Sequence, residues 1–126
     1  MSTLRLTTIS NQTGSASVPS DTVINGSAKA WVNFNGTGTV AIRASFNVSS
    51  ITDNGTGDYT VNFTTALEDA NYAVNATADV GGVSDFAIAC TGDNSTARTT
   101  SLVRIRVGAS NGVRADSSVV SISVFD

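Results

Sequence analysis

The chain has 126 residues, of which 40% are hydrophobic and only 13% are charged, and its formal net charge is −3. It contains no histidine and a single cysteine, Cys90, which excludes histidine-based acid–base chemistry, histidine metal ligands and a disulfide within the chain. The length fits one domain with its own core. The acidic balance and scattered cations argue against nucleic-acid binding, and no apolar run is long enough for membrane insertion.

Residues 1–27 are polar, and we predict an extended arm or linker that cannot fold alone. The segment opens with the alternating stretch TLRLTTI, which predicts a short strand over Leu4–Ile9 when it pairs with another segment. Its apolar residues Leu4, Leu6 and Ile9 are candidate interface residues. The opening residues lack the apolar centre of a signal peptide, so we expect synthesis in the cytoplasm.

Residues 28–126 have a different pattern, rich in valine, isoleucine, threonine and aromatic residues that alternate with period two. Turn signals separate the alternating segments, and we find no convincing α-helix. The pattern predicts an all-β domain, an antiparallel β-sandwich that is jelly-roll-like. About eight strands are expected, in the segments AKAWVNF, TVAIRASF, NVSSIT, DYTVNF, NYAVNATA, SDFAIAC, SLVRIRVGA and SVVSISVFD.

The sequence NGTG occurs twice, at residues 35–38 and 54–57. A phosphate-binding loop would need a lysine and a following helix, and neither copy has them. Both copies lie between alternating segments, which favours hairpin turns. Asparagine and glycine both tolerate the positive φ angles of such turns, and the second glycine allows a bulge.

The second copy lies within DNGTGD, where the carboxylates of Asp53 and Asp58 could attract a cation. Calcium needs six to eight oxygen ligands, and the acidic series of an EF-hand is missing. We therefore predict no metal and no cofactor, although a cation at this loop is left open. If the loop tip binds a ligand, we expect the contacts from Asp53, Asn54, Gly55, Thr56, Gly57 and Asp58.

Three further features have alternative interpretations. Trp31 alternates with the apolar positions of its strand, so it lies on the polar face as a sugar-stacking residue or an interface anchor. Arg104 and Arg106 fall on one face of a strand, which is typical of a solvated or interface face. Two carboxylates such as Asp85 and Asp93 could pair across loops, but ten scattered acidic residues favour solvation, and we predict that the protein is not an enzyme.

The stretch AKAWVNFNGTGTVAIRASFNVSSITDNGTGDYTVNFTTALEDANYAVNATA resembles small tail-fibre-like virion proteins of tailed bacteriophages, especially marine and cyanobacterial ones. The layout of MSTLRLTTI, a polar stretch and AKAWVNFNGTGTV is also similar, and the resemblance extends from Met1 to about Ala78. It brings no catalytic residues.

The resemblance implies a virion structural protein that forms a homotrimer. The arm, residues 1–27, would bind other virion proteins or sister chains, and the sandwich would face outward to contact the host surface, often a saccharide. The alternative is a capsid decoration or head-fibre protein that stabilises or coats the shell.

Overall fold

The computed structural model describes residues 1–79, 88–91, 98–109 and 112–126. The prediction of an all-β antiparallel fold is confirmed, because strands form every element except one short helix. In chain order the elements are β1 Thr8–Ser10, β2 Ser17–Pro19, α1 Ser20–Gly26, β3 Ala30–Asn35, β4 Ala41–Phe46, β5 Val48–Gly55, β6 Asp58–Phe63, β7 Ala73–Ala78, β8 Ile88–Thr91, β9 Arg98–Thr99, β10 Leu102–Gly108 and β11 Val120–Phe125.

Two antiparallel sheets make up the body of the fold. The four-stranded sheet has the order β4-β3-β11-β7, and the five-stranded sheet has the order β5-β6-β10-β8 with β9 also paired to β10. The eight predicted segments correspond to β3 to β8, β10 and β11. Within the sandwich the structure adds one short strand, the two-residue β9, and the arm contributes β1 and β2.

The core lies between the inner faces of the two sheets. Period-two alternation on β3, β6, β10 and β11 turns one side of each strand inward. The rings of Phe34 and Tyr59, one from each sheet, meet edge to face with centroids 5.2 Å apart. The buried residues of this cluster are Ala30, Val32, Phe34, Tyr59, Val61, Phe63, Leu67, Tyr72, Val103, Ile105, Val107, Val120, Ile122 and Val124.

The chain passes from one sheet to the other at Asn47, between β4 and β5. This residue has a φ of 54°, in the left-handed region that asparagine tolerates. Its side-chain amide donates to the carbonyl oxygens of Lys29 and Thr65, each at 3.1 Å, and its side-chain oxygen accepts from the Thr65 N–H at 2.8 Å. The three bonds fix the crossing, and with it the relative placement of the two sheets.

The arm is more ordered than we predicted. β1 and β2 form an antiparallel hairpin, and α1 follows directly, so the arm contains a short helix where we predicted an extended segment. Pro19 precedes the helix and Asp21 lies in its first turn, where a carboxylate is favoured by the helix dipole. The predicted strand over Leu4–Ile9 starts later, at Thr8. No residue of α1 is buried.

Candidate functional site

Both NGTG copies connect antiparallel neighbours, but their asparagines do not supply the positive φ angles that we predicted. In the second copy Gly55 pairs with Asp58, so Thr56 and Gly57 form the turn, and Asn54 belongs to β5 beside an irregular register. Gly38 and Gly57, the last residue of each copy, both have a φ of 60°. Gly55 also has a positive φ, of 121°. The turn chemistry therefore depends on the second glycine of each copy and, in the second copy, on the first glycine as well.

The carboxylate of Asp58 lies under three arginines on the outer face of the five-stranded sheet. Arg104 binds it through two nitrogens, with Nε 2.6 Å from Oδ1 and Nη2 2.9 Å from Oδ2. Arg114 donates from Nη1 to Oδ2 at 2.9 Å, and Nε of Arg106 is 3.6 Å from Oδ2. Asp58 itself is only 2% exposed. We call these four residues the arginine–carboxylate cluster.

The cluster holds Asp58 in its charged form. The hydrogen bond from Arg104 lowers the pKa of Asp58, and although burial opposes this, the charges of Arg104, Arg114 and Arg106 add to it. Asp58 therefore lies beneath cationic groups rather than at the exposed loop tip. Three guanidinium groups beside a carboxylate repel a cation, and the described residues contain no group of three or more histidine, cysteine, aspartate or glutamate side chains that could hold a metal.

The two NGTG turns meet at a second polar cluster beside Tyr59. The Tyr59 hydroxyl lies 2.8 Å from the Gly36 carbonyl oxygen and 2.9 Å from Oδ1 of Asp116. The same carboxylate oxygen accepts the N–H of Gly57 at 2.8 Å. Burial raises the pKa of Tyr59, and the hydrogen bond to Asp116 adds to the effect. Sequence analysis missed Asp116, because no local pattern links it to residues more than 50 positions earlier.

The outer face of the four-stranded sheet has a different character. We call it the open face. On β3, β11 and β7 it carries one aromatic and five polar side chains that carry no charge, namely Trp31, Asn33, Asn75, Thr77, Ser121 and Ser123. Its edge strand β4 adds a second aromatic residue. Trp31 lies where its alternation predicted and is 41% exposed. Phe46, its partner on β4, is 55% exposed.

Several polar groups of the open face have no hydrogen-bond partner among the described residues. Asn33 donates from Nδ2 to Oγ of Ser121 at 2.8 Å. The side chains of Asn75, Thr77 and Ser123 make no hydrogen bond within the part of the chain that the structure describes. With Ser121, these three residues line a shallow depression. The face thus presents hydroxyl and amide groups that are available to a ligand.

The candidate interface residues of the arm line a separate apolar groove, which we call the arm groove. Its apolar lining residues are Leu4, Leu6, Ile9, Val23 and Ile24, and Arg5, Ser20 and Asp21 lie at its sides. All five are large, apolar and exposed. The structure thus brings Leu4, Leu6 and Ile9 together and adds two residues of α1, but it places Trp31 in the sandwich, on the open face.

The six residues of the predicted binding loop lie at one end of the five-stranded sheet, away from the open face. The main-chain N–H of Gly55 donates to Oδ1 of Asp53 at 2.9 Å, so the loop is braced internally. The suggested pair Asp85 and Asp93 lies outside the described residues. Within those residues, no helix is long and apolar enough to cross a membrane.

No family model, curated protein or solved structure matches this chain.

Proposed function

We propose that this protein is a non-enzymatic, tail-fibre-like structural protein of a bacteriophage virion, which assembles as a homotrimer and recognises saccharides on the host surface. In this proposal the β-sandwich is the outward-facing module. The arm, residues 1–27, holds sister chains together and binds other virion proteins. The sequence resemblance suggests that the protein belongs to a virion. The structure supports separate roles for the arm, in assembly, and for the sandwich, in recognition.

The observation that carries the proposal is the arm groove. The sandwich has a complete core of its own, whereas the arm leaves Leu4, Leu6, Ile9, Val23 and Ile24 exposed. A two-stranded hairpin and a seven-residue helix are too small to be stable in isolation. A partner that covers the groove would bury this apolar surface and stabilise the arm.

Light scattering on the purified protein tests the assembly part of the proposal. We expect the mass of a trimer, and we expect the triple variant Leu4→Ser, Leu6→Ser, Ile9→Ser to be a monomer with an unchanged sandwich, as judged by circular dichroism. A wild-type protein that stays monomeric at every concentration, or a triple variant that remains trimeric, would contradict this role for the arm.

Electron microscopy with a labelled antibody tests the location. We expect label at the tail of the particle and binding of the purified trimer to host cells. Label confined to the capsid shell, with no binding to cells, would replace this proposal with the alternative of a decoration protein that coats the capsid.

A further inference from the structure

The open face contains the only tryptophan of the chain, and it is half exposed rather than packed in the core. An exposed indole ring has a negative face, which attracts the weakly positive C–H bonds on one side of a sugar ring. Phe46 lies beside Trp31 on the neighbouring strand and is also exposed. Because the two residues are Cα partners on adjacent strands, their side chains leave the sheet on the same side and expose aromatic surface at one side of the open face.

Polar side chains continue from this aromatic surface across the sheet. Ser123 pairs with Trp31 on one side and with Asn75 on the other, so the three residues form one row across β3, β11 and β7. At about 4.8 Å between strands, the row spans about 10 Å. A parallel row contains Asn33, Ser121 and Thr77. This is the combination of aromatic contact and a few convergent polar groups that ligand sites use.

The scarcity of charged groups on the open face indicates which class of ligand it can bind. Its six residues carry no charge. One cationic side chain reaches its β4 edge, where Arg43 donates to Oδ1 of Asn33 at 3.5 Å and to the carbonyl oxygen of Ser118 at 2.6 Å. An acidic group placed over Ser123, Asn75 and Thr77, on the two strands away from Arg43, would lose its hydration without gaining a dedicated partner. Sugar hydroxyls, by contrast, can replace water on Asn75, Thr77 and Ser123.

We infer that the open face is a binding site for a neutral saccharide, with Trp31 and Phe46 stacking against one sugar ring while Ser123, Asn75 and Thr77 hydrogen-bond the hydroxyls of the next. This inference rests on the proposed function and names the surface and the ligand class. The site is shallow, so affinity per subunit is low, and a trimer would gain binding strength by engaging several ligands at once.

Trp31 is itself the reporter for a test, because the emission of a single tryptophan comes from one place. The probe is an array of neutral and acidic oligosaccharides from bacterial surfaces, followed by fluorescence titration with the strongest neutral binder. We expect saturable quenching or a blue shift of Trp31 emission. We expect roughly tenfold weaker array binding for Trp31→Ala and roughly fivefold weaker binding for Asn75→Ala.

The matched control is Arg114→Gln, on the outer face of the other sheet. It should retain array binding within about twofold, because Arg114 belongs to the arginine–carboxylate cluster and not to the open face. Selective binding of acidic oligosaccharides that is lost in Arg114→Gln would overturn the inference. A second outcome would also overturn the inference: Trp31 emission that changes with protein concentration but not with saccharide, together with a Trp31→Ala variant that is monomeric. That outcome would identify the open face as an interface between copies of the chain.

Binding of the purified protein to host cells distinguishes failure of the open-face site from failure of the proposed attachment function. If the wild-type protein and Trp31→Ala bind cells equally, the open-face site is wrong while the attachment function survives. If the wild-type protein binds neither cells nor any oligosaccharide of the array, the attachment function itself is wrong.

Discussion

The outer faces of the two sheets use similar polar residues in opposite ways. On the five-stranded sheet Asn62 donates to Oγ of Ser50 at 3.1 Å and to Oγ1 of Thr52 at 3.0 Å, and Asn54 donates to Oγ1 of Thr60 at 2.8 Å. On the open face Asn33 donates to Oγ of Ser121 at 2.8 Å, but the side chains of Asn75, Thr77 and Ser123 make no such bonds within the described residues. Composition alone therefore does not distinguish a binding face from a structural one.

Charge widens the difference between the two faces. The five-stranded sheet carries the arginine–carboxylate cluster, in which the carboxylate is already fully occupied by guanidinium groups. The open face has no charged pair, and its largest exposed groups are the rings of Trp31 and Phe46. The first face holds strands and a connecting segment together. On the second, the side chains of Asn75, Thr77 and Ser123 have no hydrogen-bond partner among the described residues.

Replacement of Asp58 should have the largest effect on stability. Asp58→Asn removes the negative charge that the three arginines share. We expect the free energy of unfolding to fall by about 3 kcal/mol, the low end for a broken buried pair. The low end applies because Arg114 is 47% exposed and therefore screened by solvent. Denaturant unfolding measures the loss. A loss below about 1 kcal/mol would show that the cluster is not structural.

The glycines of the two NGTG copies offer a matched pair with the next largest effect. Gly57 and Gly38 share a φ of 60°, so alanine at either position meets the same backbone strain of roughly 1–2 kcal/mol. A Cβ at Gly57 would also clash with the carbonyl oxygen of Val107, whereas nothing lies within 4 Å of one at Gly38. We expect Gly57→Ala to lower the melting temperature clearly more than Gly38→Ala. Equal losses of melting temperature in the two variants would contradict the close packing of Gly57 against Val107.

Acid should weaken the ion pairs of the arginine–carboxylate cluster, whereas the open-face residues Trp31, Asn75 and Ser123 have no group that titrates in this range. Because the pKa of Asp58 is lowered below its ordinary value of 3.8, its contribution is present above about pH 3.8 and is lost as the pH falls through the folded-state pKa. We expect the stability gap between the wild-type protein and Asp58→Asn to be constant near neutrality and to shrink below pH 3.8. Unfolding curves across this range measure the gap, and a gap that grows in acid would contradict the sign of the shift.

Two asparagines give the smallest and most direct comparison of the faces. Asn62→Ala removes cross-strand hydrogen bonds from the five-stranded sheet, and we expect a loss of about 1 kcal/mol in the free energy of unfolding. Asn75→Ala removes no bond between described residues, and we expect a change within about 0.5 kcal/mol. The same denaturant assay serves both variants. If Asn75→Ala were the more destabilising variant, the open face would have a structural role.

Alternation made much of the fold predictable. It placed Arg104 and Arg106 on one face with Ile105 in the core, and it placed Trp31 opposite Ala30 and Val32. These inferences succeed because the period of a strand is a local property of the chain. The short helix α1 escaped prediction because seven mostly polar residues show no helical periodicity.

Strand alternation could not predict the arginine–carboxylate cluster or the polar cluster of Tyr59 and Asp116. Asp58 meets Arg104 because β6 and β10 pair in one particular register, and Asp116 reaches Tyr59 only after the segment before β11 folds across the end of the sandwich. Contacts of this kind depend on the whole topology. DNGTGD therefore resembled an exposed acidic loop in the sequence, although Asp58 is buried.

The central claim is that the open face binds a neutral saccharide and the five-stranded sheet does not. Nuclear magnetic resonance on isotope-labelled protein tests it directly, because the side-chain amides of Asn33 and Asn75 report on one face and those of Asn54 and Asn62 on the other. On addition of the strongest neutral oligosaccharide of the array, we predict shifts of the Trp31 indole N–H and the first two amides, with the other two unchanged. Shifts confined to Asn54 and Asn62 would contradict the claim.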